Sequence, residues 1–191
     1  MEKDVAFEYK ITLNLNSKKI YRWILGGSTF RSKYDEPTLL TSLTNTTTYN
    51  STTTLSLDLP RRNEWIYIVL QSSLALPHPI HLHGHDFYIL AQGPGTYTAN
   101  SPLNFKNPPR RDTALMPGAG YLVIAFVTDN LGVWLLHCHV GWHSSMGFAL
   151  QILEMRGEIE GTLEGVEGMR DVCEGWRRYE RVGREELDSG I

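Results

Sequence analysis

All seven histidines of this 191-residue chain lie in two short stretches. The first, residues 78–85, reads His-Pro-Ile-His-Leu-His-Gly-His, and the second, residues 137–143, reads His-Cys-His-Val-Gly-Trp-His. Histidine used as an ordinary surface or core residue would be scattered along the chain, and none is found elsewhere. The second stretch supplies a cysteine that the first lacks. The fold therefore has to bring the two stretches together.

The second stretch continues an apolar run, residues 132–136, that is typical of a buried strand. Successive side chains of a strand point to opposite faces, so Cys138 faces one way while His137 and His139 face the other. A thiolate beside imidazoles suits a soft copper site, and two histidines on the opposite face can serve a second metal centre. With ~3.8 Å between successive Cα atoms plus the reach of the side chains, the two centres would lie on the order of 12 Å apart. That distance is short enough for electron tunnelling.

Zinc is the alternative ion for these residues. An isolated His-x-His pair is most often a zinc site or a pair of hydrogen-bonded strand histidines, because zinc also takes His and Cys ligands. Two coupled motifs, one of which has a cysteine between two histidines, argue against that reading. The sequence therefore favours copper.

The patterns His-Pro-x-His-Leu-His-Gly-His and His-Cys-His-x-x-Trp-His-x-x-x-Gly-Phe resemble the third, C-terminal cupredoxin domain of multicopper oxidases, above all that of ascomycete-type fungal laccases. Residues 21–40, residues 107–112 and the end of the chain are also similar to that family, so the resemblance covers nearly the whole sequence. It implies an all-β, cupredoxin-like Greek-key sandwich or barrel with a C-terminal helical extension.

Position by position, the resemblance implies a copper-ligand set. The family's three-copper cluster takes eight histidines, four from the first domain and four from the third, so this chain would supply half of the cluster ligands. His85 matches a family position that is not a ligand. The implied ligands are His78, Cys138 and His143 for a type 1 copper, His81 for the type 2 copper, and His83, His137 and His139 for the type 3 pair.

The axial position of the type 1 site is occupied by Phe148, ten residues after Cys138. Phenylalanine has no lone pair to donate, and a weak or absent axial ligand favours Cu(I) and raises the reduction potential. Met146 lies two residues before that position, and we interpret it as a packing residue. The sequence thus predicts a potential toward the high end for this class.

The resemblance implies a laccase activity. The type 1 copper would take single electrons from phenolic or aromatic substrates, and Cys138, His137 and His139 would pass them to the cluster, which reduces O₂ to water. Members of the family also oxidise pigment precursors, polyketide intermediates and ferrous iron, so the identity of the reducing substrate stays open.

Two other readings follow from the absence of first-domain cluster histidines in this chain. It could be a stand-alone blue-copper electron-transfer module, or an inactive fragment. An electron carrier has no use for His81, His83 or His137, so the oxidase domain is favoured. The expected partners are then a small phenolic or aromatic reductant, O₂ and the missing N-terminal cupredoxin domains.

The strand pattern predicts the fold class independently of the resemblance. Residues 5–15 alternate between apolar and polar types, which predicts a strand with one buried face. About eight strands separated by Gly, Pro and Asn turns indicate an antiparallel sandwich or Greek-key barrel. We expect a domain over residues 1–155 and an extension over 156–191. The strands include residues 20–25, 65–70, 87–90, 121–127, 133–137 and 148–153.

The extension is expected to be helical over residues 165–187, because apolar residues recur there every three or four positions. Its apolar face needs a partner, either the domain itself or an absent neighbour. Cys173 belongs to neither copper motif, and an odd cysteine suggests a disulfide with a partner outside the chain. The resemblance implies a disulfide to the first domain; a free thiol is the alternative.

Composition and charge exclude two classes of function. The net charge of −3 gives no basic surface for nucleic acid, and no apolar run approaches the roughly 18 residues of a membrane span. The first four residues do not begin a signal peptide, although the resemblance implies an extracellular protein. We therefore expect the chain to be the end of a longer protein, or a gene model that has lost its beginning.

Three local features carry further expectations. Asn45 and Asn50 begin N-glycosylation sequons in a threonine-rich stretch, and the family is typically glycosylated. Residues 110–112, Arg-Arg-Asp, are expected to form a surface ion pair. Residues 188–191, Asp-Ser-Gly-Ile, resemble the laccase tail that enters the solvent channel leading to the cluster, although the ends of chains are usually frayed.

Overall fold

The computed structural model describes residues 5–43 and 55–181. The sequons at Asn45 and Asn50 and the tail at 188–191 lie outside these residues.

The strands are β1 Val5–Leu15, β2 Tyr21–Leu25, β3 Ser56–Leu59, β4 Trp65–Ser72, β5 His78–Leu82, β6 Phe87–Pro94, β7 Arg110–Arg111, β8 Thr113–Met116, β9 Gly120–Val127, β10 Gly132–Cys138 and β11 Ala149–Glu154. The helices are α1 Thr38–Ser42, α2 Gly141–Ser145, α3 Val166–Glu180 and a 3-10 helix, Arg156–Thr162.

The strands form two sheets that pack face to face. One sheet has the order β2-β1-β4-β9-β6-β7 and the other the order β3-β11-β10-β5-β8. Neighbouring strands are antiparallel, apart from the parallel pairs β1–β4 and β3–β11. Alternate side chains of both sheets meet in one core, as in a β-sandwich. The predicted all-β sandwich is therefore confirmed.

Strand β1 departs from its predicted pattern at its end. Ile11 is fully buried and Leu13 packs against the core, as the alternation predicts, but Leu15 is 54% exposed. The pairing of β1 with β4 ends at Ile11, so Leu15 pairs with Tyr21 alone, and Tyr21 is also exposed. The buried face of β1 therefore ends near the point where its pairing with β4 ends.

The C-terminal helix packs on the domain that precedes it. Helix α3 ends at Glu180, and residue 181 is a turn, so the described helix is shorter than predicted at this end. Trp176 stacks on Tyr34 with 4.6 Å between ring centroids, and Arg177 donates a hydrogen bond to the Asp35 carbonyl. This chain itself therefore covers part of the apolar face. No described helix is long and apolar enough to cross a membrane.

Candidate metal centre

The two histidine stretches lie on neighbouring strands. In the antiparallel register of β5 and β10, Ile80 is opposite Cys138 and His81 is opposite His137. Cys138, the last residue of β10, is fully buried, whereas His139, which follows directly after the strand, is exposed. The predicted separation of Cys138 from its two histidine neighbours is thus observed. The same alternation on β5 buries His78 and turns His81 outward.

On the inner face, His78, Cys138 and His143 come together. The short helix α2 follows β10 and returns the chain, so that His143 lies beside Cys138. The Cys138 Sγ is 3.7 Å from His78 Nδ1 and 3.4 Å from His143 Nδ1, and the two Nδ1 atoms are 3.1 Å apart. Among the described residues, these three form the group whose ligand atoms all lie within 4.8 Å of one another.

This geometry fits a single copper ion. Metal–nitrogen and metal–sulfur bonds of about 2.0 and 2.3 Å in one plane would separate the ligand atoms by about 3.5 and 3.7 Å, close to the observed distances. Structural zinc sites have four protein ligands, whereas two histidines and a cysteine in a trigonal arrangement are typical of blue copper. Phe148, which offers no donor atom, is fully buried with its ring centroid 4.9 Å from that of His78.

Burial keeps the two imidazoles of the site neutral but disfavours ionisation of the Cys138 thiol. It lowers the pKa of His78 to about 4, with a further contribution from nearby His143, and it also lowers the pKa of His143. Both imidazoles are therefore neutral at physiological pH and keep a lone pair. Burial raises the pKa of the Cys138 thiol to about 11, which a hydrogen bond with the Val140 backbone opposes in part. Metal binding here must release the thiol proton.

A tryptophan that the sequence did not single out forms a wall of the site. Trp23, on β2, is 1% exposed and packs against His78 and His143 with centroid distances of 4.8 and 4.7 Å. It also contacts Phe148, at 5.4 Å. More than fifty residues separate Trp23 from the nearest histidine, so no local spacing could have linked it to the site.

The loop after α2 is held by β2 and by the segment that follows it. The Met146 carbonyl accepts a hydrogen bond from the Trp23 backbone, and Gly147 O accepts one from Phe30. Gly147 has φ +96, and a Cβ there would collide with the Thr29 hydroxyl, so glycine is required. Met146 packs against the core, in agreement with its interpretation as a packing residue.

On the outer face, four imidazoles lie side by side. His83 Nε2 is 3.1 Å from His137 Nε2. The His81 ring centroid lies 4.8 Å from that of His83 and 5.8 Å from that of His139. Burial lowers the pKa of His83 and of His137, which favours neutral, ligand-competent rings. The structure thus places the four predicted cluster residues together, and their roles as ligands stay predictions.

Two of these rings are oriented by hydrogen bonds behind them. His81 Nδ1 donates to the Asp112 carbonyl at 2.8 Å, and His137 Nδ1 donates to the Cys138 carbonyl at 2.9 Å. Each bond leaves Nε2 as the nitrogen with a free lone pair, an arrangement common among metal-binding histidines. Ser144 also donates to the Cys138 carbonyl. The sequence did not identify these roles of Asp112 and Ser144, because Asp112 acts through its backbone carbonyl and Ser144 through a hydroxyl group that is not part of either metal motif.

The charged triplet at residues 110–112 and His85 pair with acidic side chains outside the two groups of histidines. Arg110 pairs with Asp86 at 3.6 Å, with both side chains exposed, so the charged triplet does form a surface ion pair, though not with Asp112. His85 turns away from the four imidazoles and lies against buried Glu154. No local pattern indicated a buried partner for His85.

A two-sheet all-β fold with a buried His-Cys-His group is the architecture of a cupredoxin-type copper protein. Residues 27–158 match the multicopper oxidase family, which uses copper. The chain belongs to this family, and it corresponds to a laccase C-terminal domain.

The chain is similar to fungal laccases and oxidoreductases. The chain is 41% identical to Oxidoreductase OpS5 of Beauveria bassiana over 90% of its length, and 41% identical to Laccase-1 of Botryotinia fuckeliana over 83%. It spans 30% and 29% of these two proteins. The crystal structure of the Botrytis aclada laccase superposes with a TM-score of 0.86 at 33% identity, covering 98% of this chain and 35% of that one.

Proposed function

We propose that this chain is the C-terminal copper domain of a laccase-type multicopper oxidase that oxidises phenolic or aromatic substrates and reduces O₂ to water. The observation that carries the proposal is the pair of histidine sites on opposite faces of β5 and β10, joined through Cys138. A stand-alone electron carrier would need the buried group alone. The four outward imidazoles favour the oxidase over that alternative.

Copper, when bound, would supply one-electron redox chemistry at the buried group and O₂ reduction at the outer face. The chain's own residues connect the two faces. Cys138 is bonded through its backbone to His137 and His139, and its carbonyl also accepts the His137 Nδ1 hydrogen bond, which adds a second link. Trp23 and Phe148 shield the buried group from water and hold the ring of His78.

The four outer imidazoles would supply half of the ligands of the three-copper cluster, so the proposal includes N-terminal cupredoxin domains that supply the other half. Cys173 is a free thiol, 4% exposed, in the described chain. We propose that it forms a disulfide with such a domain in an oxidising, extracellular environment. Glycosylation at Asn45 and Asn50 and insertion of residues 188–191 into the cluster's solvent channel belong to the same proposal.

Copper loading of the purified chain tests the proposal. We expect one tightly bound copper per chain and a blue colour, because the buried group is complete within this chain. We expect no O₂ consumption with a phenol, because half of the cluster ligands are missing. Metal analysis, visible spectroscopy and an oxygen electrode give the three readouts. A chain that binds zinc and stays colourless with copper would contradict the assignment.

Replacing Phe148 by methionine should lower the reduction potential of the copper-loaded chain. The thioether would stand on the side of the site that Phe148 now fills, and an axial thioether stabilises Cu(II) relative to Cu(I). Voltammetry of the two proteins measures the shift, and Phe148→Leu, which adds no donor, is the control. An unchanged potential in Phe148→Met would show that residue 148 is not axial.

A further inference from the structure

A partly buried polar network lies beside the four outer imidazoles, and the proposed chemistry does not use it. It consists of His85, Asn130, Trp134 and Glu154, and we call it the Asn130 network. Glu154 is fully buried, and its Oε1 lies 2.5 Å from His85 Nε2. Neither atom has a further hydrogen-bond partner among the residues that the structure describes. Burial of a carboxylate is unfavourable unless it is paired, and His85 is the partner within reach of Glu154 Oε1.

Asn130 connects the members of the network with three hydrogen bonds. Its Nδ2 donates to the Gly84 carbonyl at 2.7 Å, and its backbone N–H donates to Glu154 Oε2 at 3.3 Å. Its own carbonyl accepts the Trp134 indole N–H at 2.7 Å. The network therefore ties the turn after β5 to the loop before β10 and to the end of β11.

The turn that the network holds leaves little freedom to the backbone. Gly84 has φ +75, and a Cβ at this position would lie 2.5 Å from the Trp134 ring. Asn130 thus holds the Gly84 carbonyl through a hydrogen bond. The Trp134 ring fills the space that a side chain at residue 84 would need. His83, the residue before this glycine, donates its backbone N–H to the Leu135 carbonyl at 2.9 Å.

We propose that the Asn130 network positions His83 for metal binding. The His83 side chain is exposed and its ring is bordered on this chain by other imidazoles, so its direction has to be set by the backbone behind it. Asn130 and Glu154 are positioning residues in this scheme, since their described hydrogen bonds join them to Gly84, His85, Trp134 and each other and not to the four outer imidazoles. The proposal rests on the proposed role of His83 as a ligand.

Asn130→Asp is the main variant, because it keeps the size of the side chain but replaces the donor to Gly84 with a carboxylate oxygen. Asn130→Ser, which also lacks the donor to Gly84, replaces the main variant if Asn130→Asp does not fold. Glu154→Gln keeps the shape of the buried carboxylate. Asp86→Asn is the matched control. It lies next to His85 in sequence, but its side chain is exposed and pairs with Arg110 outside the network.

The first readout is the order of the His83 imidazole, measured by NMR relaxation of the metal-free chain. In Asn130→Asp we expect the ring to pass from rigid to flexible, with an order parameter below about 0.6, while His78 and His143 stay rigid. Asp86→Asn should leave all three rings unchanged. If His83 stays as ordered in Asn130→Asp as in the parent chain, the network is structural and the proposal is wrong.

The second readout is Zn²⁺ affinity in a Cys138→Ser/His143→Ala background, which leaves His78 as the one donor of the inner group, so that the four outer imidazoles are the main remaining site. Loss of a residue that orients a ligand typically weakens metal binding by about 10- to 100-fold, and we expect that loss in Asn130→Asp but not in Asp86→Asn. Equal affinities in all variants would overturn the positioning role. No Zn²⁺ binding even with Asn130 intact would instead contradict the ligand role of His83, which belongs to the proposed function.

Discussion

Cys138→Ser is expected to remove the blue colour of the copper-loaded chain completely. The colour of such sites arises from charge transfer between thiolate and copper, and a serine hydroxyl cannot supply it. Cys138 Sγ lies within 3.7 Å of both Nδ1 atoms, and the other described cysteine, Cys173, is not part of this group. Visible absorption at equal copper loading measures the effect.

Cys173→Ser is the matched control for this substitution. Cys173 is also buried and free, but it lies on α3, away from the two histidine stretches. We expect the control to keep its full blue absorption. Loss of colour in Cys173→Ser, or its retention in Cys138→Ser, would show that Cys138 is not the thiolate ligand.

Trp23→Ala should be the most damaging single substitution for the stability of the metal-free chain. Trp23 is 1% exposed and contacts His78, His143 and Phe148, so its removal leaves a cavity beside all three rings. Large-to-alanine changes at such positions cost about 3–5 kcal/mol. We expect a loss of that size in the free energy of unfolding, measured with urea.

Trp65→Ala removes the same side chain from a half-exposed position. Trp65 is 41% exposed and packs against Tyr88 on the outer side of its sheet, so a loss of about 1 kcal/mol is expected from its smaller buried area. Trp23→Phe should retain most of the stability, because the buried Trp23 indole N–H has no hydrogen-bond partner to lose in the described structure. Equal losses at positions 23 and 65 would contradict this account.

Much of the candidate site could be predicted from local sequence because it depends on residue type and on the alternation of side chains along a strand. Side chains alternate along a strand, so the order His-Cys-His already separates Cys138 from His137 and His139. Residue type then limits the chemistry: imidazoles and a thiol select soft metals, and Phe148 offers no donor atom. The strand pattern and the resemblance together gave the fold class. None of these inferences depends on which strands become neighbours.

The tertiary structure decided whatever depends on contacts between distant parts of the chain. The pairing of β5 with β10 in one register sets the distance between the two histidine stretches, and no local pattern contains that register. The packing of Trp23 against His78 and the pairing of His85 with Glu154 likewise join elements far apart in sequence. Even the exposure of Leu15 followed from where a neighbouring strand ends, because burial is a property of the assembled sheets.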